Sequence, residues 1–146
     1  MVDKEHKIFL IGCFITVSVI AYLLNWNFDS MADTATTLVS IAVGVYIAAA
    51  SALLGSPYAK ELKQTTDKKR TSNTLLGTLL DYFRHAGKLG ITTVIVSCLY
   101  KIPATYNIPI IIARIGSAAA YGIFFCNILF LWLVFVFLVN SIEKSV

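Results

Sequence analysis

The sequence predicts an all-α integral membrane protein, a four-helix bundle with both ends on the cytoplasmic side, and three observations carry that prediction. The composition is 58% apolar and only 14% charged across 146 residues, far below the roughly one quarter charged of a soluble domain. The apolar residues gather into runs long enough to cross hydrocarbon. The positive charges gather between alternate runs.

A spanning helix needs about 20 mainly apolar residues, because at 1.5 Å per residue it must cover about 30 Å without leaving backbone groups unpaired in lipid. Residues 8–26 form the first such run. The charged segment before it suggests a signal peptide, but its apolar stretch, residues 8–24, is longer than such a core and is followed by Asn25, Trp26, Asn27, Phe28 and Asp29 instead of a small-residue cleavage site. It is therefore read as a retained span. Residues 35–55 form the second, ended by Gly55, Ser56 and Pro57. The third, within 79–101, is too short in its purely apolar part. Leu75, Leu76, Leu79, Leu80 and Phe83 recur before it at helical spacing, so one helix is predicted from about residue 72, amphipathic first and spanning afterwards. Residues 110–139 form the fourth, with Pro103 and Pro109 bracketing the turn before it. The connection 56–78 is predicted as a cytoplasmic basic loop, and residues 1–146 as a single membrane domain.

Orientation follows from Lys and Arg. Ten of the twelve lie at Lys4, Lys7, Lys60, Lys63, Lys68, Lys69, Arg70, Arg84, Lys88 and Lys144, and the other two, Lys101 and Arg114, flank the turn on the opposite side. Cytoplasmic loops keep the positive charge, which places the termini and the second connection inside a bacterial inner (cytoplasmic) membrane crossed several times. Trp26, Phe28, Tyr100 and Tyr106 then fall at the outer face, as an aromatic interface belt would. The net charge of +4 is carried wholly by residues 60–88, so it reads as topology and not as a nucleic-acid surface.

The second span repeats small residues every fourth position, Thr36, Ser40, Gly44, Ala48 and Ala52. Positions four apart share one helix face, and small side chains there let another backbone approach closely, which in lipid is a main source of helix association. With Gly116, Ala120 and Gly122 on the fourth span, this predicts helix packing and self-association into a homo-oligomer. Whether the contact lies within a chain or between chains is open at this point. Asp81, Arg84, His85 and Lys88 fall on one face of the third helix as it enters the membrane. With Lys68, Lys69 and Arg70 they could receive a cytoplasmic protein partner or line a vestibule. The plainer reading is a solvated face, Asp81 pairing locally and the long cations reaching toward headgroups.

Chemistry is sparse. No Asp or Glu lies within a span, which counts against proton-coupled export, and no Ser/His, paired-Asp or HExxH arrangement suggests catalysis. Cys13, Cys98 and Cys126 sit singly in apolar runs and read as small hydrophobes. No enzyme, catalytic residue, metal or cofactor is predicted. Arg114 and Asn127 are the deep polar side chains, while Thr16, Ser18, Thr92, Thr93 and Ser97 can bond to their own helices. The aromatic residues Phe124, Phe125, Phe130, Trp132, Phe135 and Phe137 read as lipid contact.

Two function classes fit. One is a scaffold or sensor that oligomerises and recruits or regulates a cytoplasmic partner. The other is a pore, a regulated channel or holin-like effector, with the small face of the second span or the Thr92, Thr93 and Ser97 side of the third lining the passage. The order of spans, the outer turn NWNFDSMAD, the second span LVSIAVGVYIAAASALLG, and the basic connection YAKELKQTTDKKR leading into LLGTLLDYFRHAGKLG resemble the small four-span membrane subunits of bacterial anti-phage operons. The likeness is greatest to the membrane component of the Kiwa system. That resemblance implies an oligomeric membrane sensor in antiviral defence, working with a separately encoded cytoplasmic DNA-binding effector, without direct nucleic-acid binding by this chain.

Overall fold

The computed structural model describes residues 4–67, 70–102 and 109–143. Among the described residues are five helices, α1 (Lys4–Leu23), α2 (Asp29–Gly55), α3 (Tyr58–Gln64), α4 (Leu75–Tyr100) and α5 (Ile110–Glu143), with one small hairpin of β1 (Thr66–Asp67) and β2 (Arg70–Thr74) between α3 and α4. Among the described residues, three helices are long and apolar enough to cross a membrane, within His6–Leu23, Asp29–Gly55 and Ile110–Val136.

Helix ends differ from the apolar runs because hydrogen bonding, not hydropathy, terminates a helix. The first helix stops at Leu23, short of residue 26. Asn25 takes φ 54°, a left-handed conformation that asparagine tolerates. There the Trp26 N–H donates to the Ala21 carbonyl at 3.0 Å and the Asn25 N–H to that of Tyr22 at 3.3 Å, a Schellman closure. The second helix starts at Asp29, six residues ahead of its apolar run, with the Asn27 side-chain carbonyl accepting from the Asp29 N–H at 3.1 Å.

The expectation of a helix from residue 72, and of a plain loop over 56–78, is corrected. The segment folds back as α3 and an antiparallel hairpin, Thr66 opposite Thr74 and Asp67 opposite Arg70. Thr74 is the N-cap of α4, accepting from the Gly77 N–H at 3.2 Å. Residues 71–74 are Thr, Ser, Asn and Thr, whose side chains favour caps and extended backbone over helix interior. The Leu75 N–H donates to the Thr65 carbonyl at 3.0 Å and closes the fold-back.

The helices pack in the order α1, α5, α4, α2, with a smaller contact between α2 and α5. At 1.5 Å per residue, the 26 residues of α4 reach about 39 Å, close to the 27 residues of α2 along which it lies. Two apolar clusters fill the interior. Toward the first turn lie Ala21, Phe28, Ala32, Ala35, Val39, Ala118, Ala120, Tyr121 and Phe124. Toward the hairpin lie Ala42, Tyr46, Leu79, Tyr82, Phe83, Ala86, Phe130 and Val134. Glycine sets the spacing at two crossings. A Cβ on Gly90 of α4 would collide with Val43 of α2, and one on Gly122 of α5 would collide with Ser18 and lie 2.8 Å from the Phe14 ring of α1. Lipid supplies no hydrophobic drive between helices, so this close approach and its dispersion contacts hold the bundle together.

Candidate functional site

The face of α2 that enters the bundle is Ala32, Ala35, Val39, Ala42 and Tyr46. The stripe Ser40, Gly44, Ala48 and Ala52 is a different face, and all four residues are exposed. Ser51 and Gly55, which fall on it as well, are also exposed, and a Cβ on Gly44 would meet nothing within 4 Å. Ile41 and Val45 flank the stripe on one side and Ile47 on the other, all three exposed, so it forms a shallow groove. The other helices turn large residues outward: Ile8, Ile11, Ile15 and Val19 on α1, Ile91, Ile95 and Leu99 on α4, and Ile111, Ile115, Ile128 and Trp132 on α5.

Gly116 and Ala120 of α5 belong elsewhere. Ala120 is buried in the outer cluster, and a Cβ on Gly116 would lie 2.7 Å from the Tyr100 hydroxyl. They serve helix packing within the chain. Position and size alone made them look like the α2 residues, because spacing along one helix does not say which neighbour stands opposite.

At the hairpin end, the four residues of the polar stripe divide. Arg84 forms an ion pair with Asp81 at 3.5 Å with its side chain two-thirds exposed. The His85 Nδ1–H donates to the Asp81 carbonyl at 2.7 Å. Lys88 is exposed, as are Lys60 and Lys63 on α3, whose Leu62 is buried. The pairing is the local one that helical spacing allows. Arg70 lies on β2, and Lys68 and Lys69 lie outside the described residues. Sequence reasoning missed the link from His6 to Tyr82, whose Nδ1 and hydroxyl are hydrogen-bonded at 2.6 Å and tie α1 to α4. No spacing in the chain could have signalled a contact between residues so far apart.

At the opposite end, the aromatic residues build a plug more than a belt. Phe28 is fully buried, its ring edge-on to Tyr100 of α4 at 5.3 Å and to Tyr121 of α5 at 5.2 Å. Trp26 packs on Tyr121 at 5.3 Å and stays exposed, while Tyr106 lies outside the described residues. Both cations at this end are held locally. Lys101 forms an ion pair with Asp33 at 2.9 Å, and Arg114 donates to the Tyr22 carbonyl at 3.1 Å with its guanidinium 5.0 Å from the Tyr22 ring centre.

Between the two apolar clusters lies a polar layer. Asn127 Nδ2 donates to Thr93 Oγ1 at 3.1 Å, and Thr93 and Ser97 are buried beside it. Thr92 points outward and donates to the Lys88 carbonyl at 2.9 Å, so Thr92, Thr93 and Ser97 do not share one lining face. The expectation that all these hydroxyls bond to their own helix holds for Thr16, Thr92 and Thr93. It fails for Ser18 and Ser97, whose oxygens have no partner. The structure also brings two of the scattered cysteines together: the buried Cys126 thiol donates to the Leu10 carbonyl at 3.4 Å and contacts the Cys13 thiol. Against known proteins, no family model, no curated protein and no solved structure matches this chain.

Proposed function

We propose that the chain is a non-enzymatic, four-span subunit of the bacterial inner membrane that self-associates through the outer face of α2 and holds a cytoplasmic protein partner at its basic inner end. One observation carries the reading: α2 alone turns a continuous small-residue groove outward where α1, α4 and α5 turn out large residues. A helix that only met lipid would gain nothing from so small a face, whereas a second copy of the bundle would gain backbone contact along it. In this reading α4 is the fourth span, carried across by packing between α2 and α5 despite its charged first turns. The resemblance to anti-phage membrane subunits supplies the setting, an assembled sensor that reports infection to its partner.

The proposed orientation puts residue 30 outside and residue 66 inside. In a cysteine-free background, Ser30→Cys is expected to react with an impermeant maleimide on intact cells and Thr66→Cys only after lysis. Labelling of Thr66→Cys in intact cells would refute the orientation.

The partner is tested by charge. Each cation near a membrane surface is worth roughly 1 kcal/mol of attraction to an acidic partner or headgroup, so removing three weakens retention by on the order of a hundredfold at low salt. Changing Lys68, Lys69 and Arg70 to Gln is expected to release a co-purifying soluble protein while the bundle stays assembled. The pore reading is decided by ion flux through purified protein in liposomes, where a steady conductance altered by Thr92→Ala or Ser97→Ala would replace the scaffold reading. The adjacent gene bears on the setting: a large soluble protein fits the scaffold and an endolysin fits a holin.

A further inference from the structure

Halfway along the bundle, two buried polar side chains each carry an oxygen without a partner, and each has what the other lacks. Asn127 is 1% exposed and Ser97 is 0% exposed. Asn127 donates through Nδ2 to Thr93 Oγ1, but its Oδ1 accepts nothing. Thr93 has no proton left for that oxygen, because its hydroxyl donates to the Leu89 carbonyl at 2.9 Å. Ser97 Oγ is likewise unpartnered. This sets Ser97 apart from Thr16, Thr36, Thr37, Thr92 and Thr93, which all donate to the carbonyl four residues before them. Turning the Asn127 amide over would move the orphan from oxygen to nitrogen without removing it.

A direct bond between Ser97 and Asn127 would satisfy both groups, and they do not make one. Ser97 lies one helical turn beyond Thr93, the residue that Asn127 reaches, a rise of about 6 Å. The apolar clusters on either side separate this layer from both ends of the bundle. A buried polar layer that holds an unpartnered donor and an unpartnered acceptor is where proteins retain internal water, whereas apolar cavities stay dry.

We infer that a single water molecule is bound in the middle of the bundle, accepting from the Ser97 hydroxyl of α4 and donating to the Asn127 side-chain carbonyl of α5. It completes a polar link between the two helices, Thr93 to Asn127 to water to Ser97, at a depth where lipid offers no substitute. Its existence does not depend on the proposed function.

The test uses the full-length protein in lipid nanodiscs with 15N-labelled asparagine. Rotating-frame NMR transfer from water to side-chain amides separates dipolar contact from exchange, and Asn127→Leu identifies the Asn127 signal by its disappearance. A dipolar water contact at the Asn127 amide is expected, lost in Ser97→Ala. No such contact in the wild type, or one that survives unchanged in Ser97→Ala, overturns the inference. Should Ser97→Ala not fold, the wild-type spectrum decides, since a buried pair without water gives no contact at Asn127.

Discussion

Replacing Gly44 with Leu is expected to abolish self-association while leaving the single bundle folded. Among the described residues nothing lies within 4 Å of a Cβ at this position, which faces outward, so packing and helicity should be unchanged. Between two copies, four added carbon atoms at the centre of the groove would hold the α2 backbones apart and remove the contacts that close approach provides. Ala48→Leu, one turn further along the same exposed face, should act in the same way. Native mass or cross-linking in mild detergent reads the result. Unchanged assembly in both variants, with the protein still helical, would remove the α2 face as a subunit interface.

Gly122→Val is expected to do the opposite, damaging the bundle itself. Even the first carbon atom would run into Ser18 and the Phe14 ring, so α1 must shift away from α5 along its length. Overpacking of this kind costs about 1–3 kcal/mol in a well-packed interior. The loss should appear as a lower midpoint in thermal unfolding. It should also expose Cys126, now buried against α1, to a membrane-permeant maleimide. Wild-type stability with Cys126 still protected would mean that the α1–α5 contact is looser than described. The two glycine variants together separate an inside surface from an outside one, which residue size alone does not do.

That distinction marks where the sequence stopped being informative. Apolar runs and turn residues locate the four long helices to within six residues, though not α3, because the bilayer imposes length and forbids unpaired backbone. The ends moved where local bonding outranked hydropathy, at Asn25, where the chain turns left-handed, and at Thr74, which caps α4 after a hairpin. Within the site, the four-residue repeat of α2 was visible, and so was the pairing of Asp81 with Arg84, because both are properties of one helix. The burial of Ala120 and the contacts of His6 with Tyr82, Cys13 with Cys126 and Asn127 with Thr93 depend on which helices are neighbours. The order α1, α5, α4, α2 is a tertiary fact that no periodicity in a single chain encodes.

The tight closure after α1 bears on how such a subunit could be addressed. Only residues 24–28 separate α1 from α2, and within that stretch Phe28 is sunk into the bundle while Asn25 completes a helix cap. In the proposed orientation this connection lies on the outside. An external macromolecule would find little polypeptide to grip there. In the proposed sensor reading, a signal would then have two broad avenues, the lipid around α1 and α5 and the basic end with its hairpin and cations. Perturbing membrane thickness or tension, and not adding ligands from outside, is the first stimulus to try.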